Sequence, residues 1–165
     1  MDNTAQRIED RLWKTYGMVN EWIRYSDTKA YTLLAVQGVF IGLLYKAFDG
    51  SIDTSGLTKA LAISGLLLNV ISLFFAFICI NPRLNVTGTP SPVYFGAIAN
   101  FATADSYQSH FNNSFVTPET VEKELSRQIY INSKIADRKY KNVTYSMRGF
   151  VSSLVPWILF TLTLV

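Results

Sequence analysis

The sequence predicts an all-α membrane protein with three transmembrane helices and a cytoplasmic helical bundle. Three observations point there. Fifteen Lys and Arg residues in a chain of 165 are partitioned as five before Ala30, two between Lys46 and Lys59, and eight between Asn81 and Gly149. Three runs, Ala30–Tyr45, Ala60–Ile80 and Phe150–Val165, carry no charge at all. Long stretches between them place apolar residues at spacings of three and four, the helical period.

The first element is a rod from about Ala5 to Phe48. Ala5, Ile8, Leu12, Tyr16, Val19 and Ile23 form its apolar line, with Arg7, Asp10, Arg11, Lys14 and Glu21 on the other face. No proline precedes Pro82, so the helix is expected to enter the first span unbroken. The second span, Ala60–Ile80, has the roughly 20 residues that a 30 Å hydrocarbon layer needs. It stops at Asn81–Pro82. The first and third runs are shorter, so each must thin the bilayer or borrow a flanking turn. Basic residues are retained on the cytoplasmic side, which puts the N-terminus and the Asn81–Gly149 block inside and the C-terminus outside. The expected domain order is therefore 1–29 as a cytoplasmic N-terminal helix, 30–80 as two spans with a short external loop, 81–149 as a cytoplasmic sensor region, and 150–165 as the third span. The mixed charges before the first run argue against a secretory signal peptide.

Within the sensor region, Ser91–Pro92 reads as an N-cap followed by proline at the first helical position, predicting one short helix from Pro92 to about His110. Thr117-Pro118-Glu119 repeats the signal for a long helix in which no proline or glycine intervenes before Gly149. On a helical projection Val121, Leu125, Ile129, Ala136, Tyr140, Val143 and Met147 share one side. Lys123, Arg127, Tyr130, Lys134, Arg138, Lys141, Tyr145 and Arg148 form a stripe opposite, which is either a solvated face or a line of positive potential for an anion or a second subunit. Gln128, Asn132 and Lys139 interrupt the apolar side. A lysine there needs a counter-charge, for which Asp27, Asp105 or a bound phosphate would serve. In the spans, Gln37 and Asn69 are expected to hydrogen-bond between helices, and Gly38-xxx-Gly42 permits close approach within the monomer or between copies. Pro156 is expected to kink the third span.

Composition narrows the function. One cysteine and one histidine leave no intrachain disulfide and no paired metal ligands. No nucleophile elbow or phosphate-cradling glycine loop is present, so an enzyme is not expected, nor any cofactor or metal. A net charge of +3 is explained by cytoplasmic retention and attraction to lipid headgroups rather than by nucleic acid.

Four phrases taken in order carry a family resemblance: Trp22-Ile-Arg-Tyr-Ser-Asp-Thr-Lys-Ala30, Asn81-Pro-Arg-Leu84, Ser91-Pro-Val-Tyr-Phe-Gly-Ala-Ile-Ala99 and Gln128-Ile-Tyr-Ile-Asn-Ser-Lys-Ile-Ala-Asp-Arg-Lys-Tyr140. The chain resembles the Pycsar transmembrane effector family over about residues 5–165, and is related to the transmembrane effectors of CBASS systems. The resemblance implies a bacterial antiphage effector of the inner membrane. It also implies a signal, typically cyclic CMP or cyclic UMP made by a partner cyclase, and impairment of the bilayer, with a homo-oligomer as the expected form. A cyclic nucleotide needs a cation, a stacking ring and amides. Arg83, Tyr94, Phe95, Gln128, Asn132, Lys134, Arg138, Lys139 and Tyr140 supply those types in the cytoplasmic block. Two rival functions use the same features: a small channel or holin-like pore without nucleotide input, and a membrane anchor for a soluble partner.

Overall fold

A computed structural model describes residues 3–48, 56–81 and 91–163. It is all-helical among the described residues, in the order α1 (Asn3–Phe48), α2 (Gly56–Ile80), α3 (Phe95–Ile98), α4 (Ala104–Ser114) and α5 (Pro118–Leu162). The expected rod from Ala5 to Phe48 corresponds to α1. The Thr117-Pro118-Glu119 signal corresponds to the start of α5, where Thr117 and Thr120 exchange side-chain to backbone hydrogen bonds at 3.1 and 3.4 Å. The Thr117 hydroxyl also holds the Glu119 carboxyl below the usual carboxylate range. α5 continues through Pro156 to Leu162.

The single helix expected from Pro92 to His110 is instead two short ones. Ser91 does cap a local turn, with its hydroxyl 3.5 Å from the Val93 N–H and its carbonyl accepting from Tyr94 N–H at 3.3 Å, but helix begins only at Phe95. Thr103 then opens a new helix in extended backbone, forming a capping box with Ser106. The competing cap at Thr103 starts a second helix inside the expected one.

Contacts divide the chain into two compact units. The first takes the described residues of Met1–Arg24 and Pro82–Asp137. Leu12, Tyr16, Val19 and Ile23 of α1 alternate four and three along its inner face, and Val121, Leu125, Gln128, Asn132 and Ala136 do the same work on α5. The tyrosine hydroxyls of Tyr16 and Tyr107 donate to the carbonyls of Val93 and Pro92, both at 3.0 Å, and pin the segment before α3.

The second unit takes the described residues of Tyr25–Asn81 and Arg138–Val165, and in it the polarity of α2 is inverted. The buried line of α2 is Thr58, Ala62, Gly65, Asn69, Ser72, Ala76 and Cys79, all small or polar, at alternating spacings of four and three. Its exposed residues include Leu66, Leu67, Val70, Ile71, Phe74 and Phe77. Small residues inside let backbones approach closely. Ser72 donates to the Ser146 carbonyl at 2.6 Å, Ser153 donates to the Asn69 side-chain oxygen at 3.1 Å, and Thr58 lies 3.3 Å from Thr163. α2 is long and apolar enough to cross a membrane; among the described residues the apolar ends of α1 and α5 fall short of that measure.

Two glycines make the packing testable. A Cβ on Gly65 would sit 2.8 Å from the Trp157 ring, whereas one on Gly38 or Gly42 meets nothing within 4 Å. Gly38 and Gly42 therefore do not mediate packing inside this unit. Gly65→Ala should destabilise the detergent-solubilised protein by about 1–3 kcal/mol through overpacking, seen as a lowered Tm, while Gly38→Ala should leave Tm unchanged or raise it.

Candidate functional site

The residues nominated for ligand binding fall into both units. Arg83 lies outside the described residues. Tyr94, Phe95, Gln128, Asn132 and Lys134 belong to the first unit; Arg138, Lys139 and Tyr140 belong to the second.

In the first unit, Gln128 and Asn132 are buried one turn apart on α5. Their amides form a ladder in which Gln128 Nε2 donates to Asn132 Oδ1 at 2.8 Å and Asn132 Nδ2 donates to Asn20 Oδ1 of α1 at 2.7 Å. Two of the three residues that interrupt the apolar projection are thus buried on the inner face. Nothing in α5 alone identifies them as such, because their partner is 112 residues away for Asn132. The accessible members are different. Phe95 is 65% exposed with its ring centroid 5.1 Å from that of Tyr94, and the Lys134 ammonium lies 5.5 Å from the centroid of the exposed Tyr130 ring.

A pocket of about 310 Å³ in the same unit was not legible in the sequence. It is lined by Trp13 of α1, Phe111 and Phe115 at the end of α4, and Thr117, Pro118 and Val121 at the start of α5, with Glu9 at its edge. Glu9 accepts from the Trp13 indole N–H at 3.4 Å. The pocket is aromatic but acidic at its rim, which suits an apolar side chain better than a phosphate. The half-buried His110 packs on Phe101 at 5.1 Å between ring centroids.

In the second unit, Lys139 finds the first of its three expected partners. Its ammonium binds Asp27 Oδ1 at 2.5 Å and the Cys79 carbonyl at 2.7 Å. The pair is largely shielded, with side-chain exposures of 15% and 29%. It joins all three helices of this unit at the C-terminal end of α2, where Lys139 also satisfies a carbonyl left open by helix termination. Tyr140, one position on, receives the Lys29 ammonium 5.2 Å from its ring centroid.

The bundle interior carries unmet polar groups. Gln37 is fully buried and neither amide atom has a hydrogen-bond partner; Asn69 Nδ2 and Trp157 Nε1 are likewise unsatisfied. The expectation of interhelical bonding thus holds for the Asn69 oxygen and fails for Gln37. Among the described residues no group of three His, Cys, Asp or Glu side chains is placed to hold a metal.

Comparison with known proteins follows the same lines. The model of the PycTM family, the Pycsar effector protein domain, matches residues 11–165. The chain is similar to the Pycsar effector protein PtPycTM of Propioniciclava tarda, with 26% identity over 155 residues, covering 87% of this chain and 75% of the relative. No solved structure matches.

Removing one partner of a shielded ion pair strands the other charge, at a cost on the order of 3 kcal/mol. Asp27→Leu should therefore lower Tm markedly, and the double substitution Asp27→Leu with Lys139→Leu should recover most of the loss. A double variant as unstable as the single one would mean that the pair is not what joins these helices.

Proposed function

The chain belongs to the Pycsar effector family, and on that premise we propose that it is an antiphage defence effector that senses a cyclic nucleotide, cyclic CMP or cyclic UMP made by a partner cyclase, and impairs the inner membrane as an oligomer. The observation that carries the reading is the inverted polarity of α2. A helix whose buried line is Thr, Ala, Gly, Asn, Ser, Ala and Cys, and whose exposed face is Leu, Val, Ile and Phe, is stable only where the surroundings are more apolar than its own interior.

In this reading α2 and the apolar ends of α1 and α5 are three spans, with the N-terminus and residues 81–149 cytoplasmic and the C-terminus outside. The nucleotide meets the first unit. Tyr94 and Phe95 offer rings for the base and Lys134 a cation for the phosphate, while the Gln128–Asn132–Asn20 ladder couples α5 to α1. Arg138 and Tyr140 follow on the same helix, and Lys139 holds the helix ends of the second unit through Asp27 rather than contacting ligand. Because α1 and α5 each contribute to both units, a change in their packing in one is carried by continuous backbone into the other. The open Gly38–Gly42 edge supplies a surface for copies to meet.

The unsatisfied Gln37 amide supports a resting bundle that is poised to rearrange. A buried unpaired polar group costs about 1–3 kcal/mol, which a state that admits water would relieve. Reconstitution into vesicles of phosphatidylethanolamine and phosphatidylglycerol tests the whole reading: dye release should rise at least tenfold with cyclic CMP or cyclic UMP. Release of equal size without nucleotide favours the holin-like pore, and co-purification of a soluble partner without release favours the anchor. Gln37→Leu removes the cost in the resting state, so release at a given nucleotide concentration should fall by about tenfold; unchanged release excludes the amide from the transition.

A further inference from the structure

A groove of about 770 Å³ runs between α1 and α5 in the second unit. Lys29 and Arg148 line it together with Thr28, Thr32, Thr144 and Ser152, and Leu33, Met147 and Val151 form an apolar wall. Among the described residues no carboxylate lines it. The nearest acid in sequence, Asp27, is engaged by Lys139.

The depth of Arg148 makes this arrangement unusual. The Ser72–Ser146 hydrogen bond sets Ser146 level with Ser72, eight residues before the end of α2 and therefore about 12 Å inside it. Arg148 follows two residues further on, exposed, at a level where α2 presents Val70 and Ile71 to its surroundings. A cation at that depth is costly in hydrocarbon unless it reaches the interface or holds an anion. Lys29, near the cytoplasmic end of the same groove, marks where headgroups lie.

We propose that the α1–α5 groove binds one anionic phospholipid. Its phosphate is drawn in between Lys29 and Arg148, and one acyl chain lies along Leu33, Met147 and Val151. Charge complementarity selects an anion. The apolar wall selects an acyl chain over the polar edge of a nucleotide base, which would be left without partners there. The inference rests on the membrane placement proposed above.

The test uses the full chain. Membranes are first washed with alkaline carbonate; a chain released by the wash overturns the membrane reading and this inference together. For a retained chain, purification in dodecyl maltoside and native mass spectrometry with phosphatidylglycerol and phosphatidylcholine of equal acyl length read the site directly. The wild type should retain phosphatidylglycerol at least tenfold better. Lys29→Gln and Arg148→Gln should each cut that preference at least threefold, and Arg148→Lys should keep it. Equal retention of the two lipids by the wild type overturns the inference without touching the membrane reading. Preference that survives in the double variant Lys29→Gln, Arg148→Gln overturns it as well, and so does displacement of phosphatidylglycerol by cyclic CMP or cyclic UMP, which would make the groove the nucleotide site.

Discussion

The small-residue line of α2 is the constraint on which the second unit depends. Thr58, Ala62, Gly65, Asn69, Ser72, Ala76 and Cys79 face inward at heptad spacing, and their size sets how near the neighbouring backbones come. The close contacts all lie along it. Gly65 admits the Trp157 ring, Ser72 reaches the Ser146 carbonyl, and at the end of the line the Cys79 carbonyl receives Lys139. Larger residues would spread the helices and break these bonds. Having spent its small side chains inward, α2 turns its large apolar ones outward, and the membrane reading follows from that allocation.

Polar groups serve the two units differently. In the first, the Gln128–Asn132–Asn20 ladder gives each buried amide a partner, so polarity specifies register at little cost. In the second, the Asn69 oxygen and Ser153 are paired but the Gln37 amide, Asn69 Nδ2 and Trp157 Nε1 are not. The Lys139–Asp27 pair belongs to the bundle, where the lysine also binds the Cys79 carbonyl.

Much of the fold was legible because helix start signals and periodicity are local. The α1 rod, the end of α2 near Asn81 and the start of α5 at Pro118 all follow from proline, capping and spacing. The stretch from Pro92 to His110 forms two helices rather than one because the Thr103–Ser106 capping box, a signal as local as Ser91–Pro92, opens a new helix inside it. Projection also put Met147 on the inner side of α5, yet it is 57% exposed and Ser146 is fully buried instead. Hydrophobicity assigns a face correctly only when the interior is the apolar phase, and around Ser146 it is not.

The sequence by itself determined the all-helical class, the alternation of charged blocks with uncharged runs, and the family, because these depend on residue type and order alone. Only the tertiary structure decided which polar residues meet: that Lys139 takes Asp27, that Asn132 takes Asn20, that Gln37 takes nothing, and that Lys29 and Arg148 border one groove. The reason is physical. A helix signal is written within a few residues, whereas a partner for a buried charge or amide lies on another helix, at a distance along the chain that periodicity does not encode.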